Sequence, residues 1–265
     1  MKNKKALLAL SLVLVLGASL IAGGTLAWFS DTDEVTNTFT VGSVEIVQNE
    51  TNADGTEFSQ DQQLIPVGSN DTPTDDANFI TKQVTVTNTG KNPAYVQTFI
   101  AVPKALDMGL LKWDCNLTVG GWEAVDGDAV AAGIQPVGTM TYDMDNDPVT
   151  AEDTLNVYCY RYAVALAKAG ETGDKSPILL NGVYIDQAAD MDVIRDAADV
   201  ITEAYFLWDV DNDGAVDDKV AGYDLAKIEK LPVLVATQAV QAQGFTSASE
   251  ALGSAFPNHP WYVAP

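Results

Sequence analysis

Histidine is almost missing from this chain: His259 is the single one in 265 residues. A zincin-type peptidase needs two histidines one helical turn apart with a neighbouring glutamate, and no HExxH occurs. A lone histidine between Asn258 and Pro260 also makes a Ser–His–Asp triad a poor fit, and no GxSxG is present. It reads as an exposed loop residue. Neither a Walker loop nor GxGxxG occurs. The expectation is therefore a protein that is not an enzyme. Basic residues are scarce as well. There are 14 Lys and Arg against 37 Asp and Glu, a formal net charge of -23. That balance argues against nucleic acid, whose binding rests on neutralising phosphates, and against anionic membrane surfaces. Cysteine is limited to Cys115 and Cys159. In an exported protein the pair is compatible with one disulfide, worth about 4 kcal/mol for a loop of this size. Two buried thiols acting as small apolar residues are the other reading.

What is present begins with an export signal. Lys2, Lys4 and Lys5 form a basic head, and residues 6–22 are nearly all apolar, with Ser11 and Ser19 the polar exceptions. Thr25, Leu26 and Ala27 then supply small residues at a cleavage position, so cleavage is expected between Ala27 and Trp28. Lipoprotein processing is excluded because no cysteine precedes Cys115. A prepilin would be cleaved before its apolar run. An uncleaved anchor is the competing reading, since the run is almost long enough to span a bilayer. The expected division is a signal peptide at 1–27 and one β-sandwich domain at 28–265.

Beyond the signal, the pattern is mostly two-residue alternation. Phe39 and Val41 share one face and Val44 and Ile46 the other, with a slip at Gly42 and Ser43 that suggests a bulge. Residues 48–78 are polar and read as a long loop. Residues 80–87 alternate, a Gly/Asn/Pro connector follows, and residues 95–102 form the next strand, which together suggest an antiparallel hairpin. Strands are also expected at 155–168, 177–185 and within 231–240. Met191, Ile194, Ala198, Ile201 and Tyr205 fall at helical spacing, which predicts a helical insertion over 187–205. Ser247 and Glu250 form a capping box ahead of the apolar stripe Ala248, Ala251, Leu252, Ala255 and Phe256, which predicts a C-terminal helix.

The best chemical motif is DVDNDGAVDD at 209–218. Calcium takes oxygen ligands around a tight turn. Asp209, Asp211 and Asp213 at alternate positions, glycine sixth, the Ala215 carbonyl and Asp217 ninth supply that pattern. Val220 stands where an EF-hand places its bidentate glutamate, so Asp218 is the substitute ligand from a different geometry. A solvated acidic loop is the plainer alternative. The run DMDNDP at 143–148 has the same spacing, but proline replaces the glycine the turn needs.

Three stretches together resemble one family. They are GGTLAWFSDTDEVTNTFTVGSVEI at 23–46, ITKQVTVTNTGKNPAYVQTFIAV at 80–102 and LPVLVATQAVQAQGFTSASEALGSAF at 231–256. They look like the TasA and camelysin (CalY) family of secreted bacterial matrix proteins. The resemblance implies a jelly-roll form of the all-β antiparallel two-sheet sandwich, with helical insertions and a short C-terminal helix. It implies release by a SipW-type signal peptidase, a membrane association only before cleavage, and an extracellular or cell-surface location. It further implies self-association into biofilm-matrix fibres, with Trp28 and Phe29 at the head of a donated strand. Two alternatives stay open: a monomeric binding module on the same scaffold, and a camelysin-like metalloendopeptidase, which the histidine count disfavours.

Overall fold

Strand β4 (Ala94–Pro103) is buried along nearly its whole length, and the larger sheet is built around it. Its sequence, AYVQTFIAVP, is rich in the β-branched and aromatic residues that suit a strand covered on both faces. The computed structural model describes residues 44–58, 62, 64–117, 120–125, 134–143, 154–220 and 231–262. Within them β4 pairs antiparallel with β13 (Leu234–Gln241) on one edge and β8 (Thr154–Tyr162) on the other. The far edge of β8 is shared end to end by β6 (Trp122–Val125) and β7 (Gly138–Thr141).

The facing layer is assembled from two smaller ladders. β1 (Ile46–Thr51) pairs with β3 (Gln83–Asn88), and β9 (Leu180–Ile185) pairs with both β2 (Ile80–Thr81) and β5 (Leu111–Cys115). Backbone bonds join them: Ser176 N–H donates to Val86 O at 2.8 Å, Leu179 N–H to Val84 O at 2.9 Å and Lys82 N–H to Asn181 O at 3.0 Å. Gly182 on β9 lies against the Phe79 ring, where a Cβ would sit 2.6 Å from the ring carbons, so the position takes only hydrogen. Val84, Ile100, Trp122, Leu155, Tyr160 and Leu180 fill the space between the layers. Their polar atoms are matched. Trp113 Nε1 donates to Tyr160 Oη at 2.8 Å, and Trp122 Nε1 to the Pro177 carbonyl at 3.1 Å. Gln48 stitches β1 to β13, accepting from Thr237 Oγ1 at 2.7 Å and donating to Val235 O at 3.2 Å.

The all-β antiparallel architecture and the short C-terminal helix expected from the sequence are present. Helix α1 (Ala248–Ala255) lies on β4, β13 and β8 and buries Ala248, Ala251 and Leu252. Ser247 Oγ accepts the Glu250 N–H at 3.2 Å. The Glu250 carboxylate reaches one residue further than a standard box, to Thr246 N–H at 2.9 Å.

Three expectations are corrected. Residues 187–205 are not helical: they form the hairpin of β10 (Asp190–Arg195) and β11 (Ile201–Trp208), to which β12 (Asp218–Lys219) adds as a third strand. Asp196 accepts from the N–H groups of Ala198 and Val200, and Asp199 takes a positive φ of 63°, so an Asx turn closes what helical spacing suggested was continuous. The strands flanking 89–93 are not a hairpin either. β3 joins β1 while β4 joins β13 and β8, so the connector crosses between layers. Asn88 fixes that crossing by donating to Asn92 O and Ala167 O, both at 2.8 Å. The disulfide is not formed. Cys159 faces Gln97, while the next residue, Tyr160, points to the opposite face and meets Cys115, so β8 separates the two thiols. Among the described residues no helix is long and apolar enough to cross a membrane. The signal segment, the Gly42–Ser43 slip, Ala27, Trp28 and Phe29 lie outside the described residues, as does the 143–148 run except Asp143.

Candidate metal centre

The acidic motif occupies the turn between β11 and β12, the place where a chain reversal gathers side chains from both ends. Asn212 and Gly214 take positive φ values of 60° and 94°. Asn and Gly are the residue types that enter this region most readily, which is why the sequence turns here. The turn is then held by its own carboxylates. Gly214 N–H donates to Asp209 Oδ2, Asp213 N–H to Asp211 Oδ1, and both Val210 and Asp211 N–H to Asp218 Oδ2, each at 3.1 Å.

These bonds use one oxygen from each of Asp209, Asp211 and Asp218. The three residues offer oxygens that all lie within 4.8 Å of one another. Asp209 Oδ1 is buried and has no hydrogen-bond partner. A buried carboxylate oxygen without a donor is costly, and a cation is one partner that would satisfy it. Three unit charges at this spacing also repel by about 1 kcal/mol per pair in a water-like dielectric. The donor set is oxygen only, which suits a hard cation such as calcium; carbonyls and water would complete the usual six to eight or so ligands.

Of the residues singled out in the sequence, the structure therefore brings together Asp209, Asp211 and Asp218. The Asp213 and Asp217 carboxylates are not part of the group. The Asp213 carboxylate instead accepts the Ala215 N–H at 2.8 Å. Asp218 enters because the β11–β12 pairing places it opposite Trp208, beside Asp209. Spacing along the loop gives no measure of that pairing.

His259 is buried, not an exposed loop residue, and burial lowers its pKa. It packs beside β7, where a Cβ on Gly138 would sit 2.9 Å from its ring. Nothing in the sequence around Asn258 and Pro260 marks it as buried.

Residues 3–91 match the family model described as camelysin metallo-endopeptidase. The resemblance read from the sequence is thus shown over the N-terminal third of the chain. No curated protein and no solved structure matches. The family description points towards a peptidase and so towards a catalytic metal. The residues here do not fit a histidine-held zinc. His259 is not in the carboxylate group, and that group is the only cluster of metal-ligating side chains among the described residues.

Proposed function

We propose that this chain is a secreted structural subunit of extracellular matrix fibres, exported through a SipW-type signal peptidase and without catalytic activity. Subunits join when the N-terminal segment freed by cleavage, led by Trp28 and Phe29, adds as a strand to the neighbouring copy. The observation that carries the reading is the sheet β10–β11–β12. β10 is exposed at every residue and, among the described residues, pairs with β11 alone, so it forms an edge of that sheet. Met191, Val193, Ile194 and Ile201 remain between 38% and 45% exposed on this hairpin. An open edge carries unpaired N–H and C=O groups, and apolar side chains beside it give an incoming strand something to cover. A head-to-tail contact of this kind propagates as a filament and does not close. The match over residues 3–91 supports the same reading, because it includes the donated segment.

The acidic turn contributes to the same sheet. Calcium held by Asp209, Asp211 and Asp218 ties β11 to β12 and reduces the repulsion between subunits whose net charge, once Lys2, Lys4 and Lys5 leave with the signal segment, is -26.

The experiment compares a chain starting at Trp28 with one starting at Thr36, by sedimentation and electron microscopy. Both should fold, and only the longer should form fibres. Equal polymerisation removes the donated strand from the mechanism. Monomers in both cases replace the fibre with a monomeric binding module. Chelator-sensitive cleavage of casein by homogeneous protein would restore the peptidase.

A further inference from the structure

The face of the β13–β4–β8–β6 sheet turned away from the core holds a second site, unrelated to assembly. Residues on β8 alternate: Tyr160 enters the core, while Cys159 and Arg161 point outward beneath α1 and the segment that follows it. A cavity of about 340 Å³ lies there, lined by Arg161, His259, Gln97, Phe99, Phe256 and Tyr262 among others. That volume is within the range of about 300–1,000 Å³ typical of small-molecule pockets.

Two of its polar atoms are buried without partners, Arg161 Nε and His259 Nδ1. Gln97 is already engaged, donating to Gln238 Oε1 at 2.8 Å. Burial lowers the His259 pKa from its ordinary 6.5, which favours the neutral ring. Arg161 therefore supplies the one full positive charge of the lining. In a chain with 37 acidic residues, Arg161 makes no ion pair among the described residues. This includes Glu123, its ladder neighbour on β6, which is exposed. The histidine is held in place by Tyr262, whose ring meets it edge-on at 5.9 Å, and by the close approach of Gly138.

A guanidinium with a free buried N–H, an unpartnered imidazole nitrogen in the same lining and an apolar wall describe one ligand chemistry. The geometry points to a pocket for a small organic carboxylate, with Arg161 pairing the carboxylate, His259 Nδ1 as its second polar contact, and Phe99 and Phe256 covering the hydrocarbon body. Arginine suits this task because its planar fork matches a carboxylate. A solvated anion without an apolar body would leave the aromatic wall unused.

The test is a titration of the purified protein with phenylacetate and isovalerate, each against its neutral amide, followed by calorimetry and by backbone amide shifts. The carboxylates should bind and move the signals of Gly138, Gly253 and Asn258. The amides should bind at least about tenfold more weakly, the loss of one charge-assisted contact. Arg161→Gln should lose the preference for carboxylate over amide, and Glu123→Gln should keep it. Equal binding of acid and amide to the unaltered protein overturns the proposal, as does absence of binding or shifts mapped elsewhere. These readouts do not depend on whether Arg161→Gln folds.

Discussion

Removing one charge from the acidic turn separates the ligand set seen in the structure from the one suggested by spacing. Asp211→Asn keeps a side-chain oxygen for the Asp213 N–H but takes one carboxylate from the group of three. Asp213→Asn keeps an acceptor for the Ala215 N–H and leaves the group whole. A cation that binds only the folded state stabilises it by about 2.7 kcal/mol when present at about 100 times its Kd. For a domain of this size each kcal/mol moves Tm by about 2–4 °C, so calcium should raise Tm by about 5–10 °C. The increment should vanish in Asp211→Asn and persist in Asp213→Asn. Without calcium, Asp211→Asn should be no less stable than its parent, because two like-charge pairs of about 1 kcal/mol each before screening are gone. Calorimetric melting after treatment with chelator, with and without calcium at matched ionic strength, reads all of this. Equal increments in the parent and Asp211→Asn would refute the site. An equal increment from sodium chloride would reduce it to charge screening. Loss in Asp213→Asn as well as in Asp211→Asn would favour the ligand order suggested by sequence spacing.

Two further outcomes follow from buried groups. Burial pushes the Cys115 and Cys159 thiols up to about 12, so the native protein should react negligibly with a disulfide reagent at mildly alkaline pH, and two thiols should titrate after unfolding; a native count of zero that stays zero after denaturation would mean a disulfide. Asp107 accepts from Asn156 Nδ2 at 2.6 Å and from Tyr158 Oη, yet burial outweighs these bonds and raises its pKa above the ordinary 3.8. The folded state then binds the proton more tightly than the unfolded chain. Its contribution is fully present below 3.8 and lost as pH rises through the raised value. The stability of the parent relative to Asp107→Asn should therefore fall across that window in denaturant titrations, and a rise would invert the assignment.

The strand content, the C-terminal helix with its Ser247 cap, and the acidic motif at 209–218 were legible in the residues themselves. Each rests on a local rule: alternation for a half-covered strand, a hydroxyl ahead of an apolar stripe, an Asn and a Gly where the chain must turn. Pairing was not legible. Residues 187–205 satisfy a helical spacing and a strand alternation at once, and the turn at Asp196 and Asp199 together with the partner strand β12 selects the second. Residues 80–102 look like a hairpin because the connector is short, but each strand has its edges taken by other partners far along the chain. The same limit governs the sites. Asp218 joins Asp209 through the β11–β12 ladder, and Arg161 and His259 line one cavity because α1 carries the chain back across β8. Local sequence sets what each segment prefers and which residues bear the chemistry. Which of them meet is decided by long-range strand pairing, since hydrogen bonding between distant backbones is nearly indifferent to the side chains it brings together.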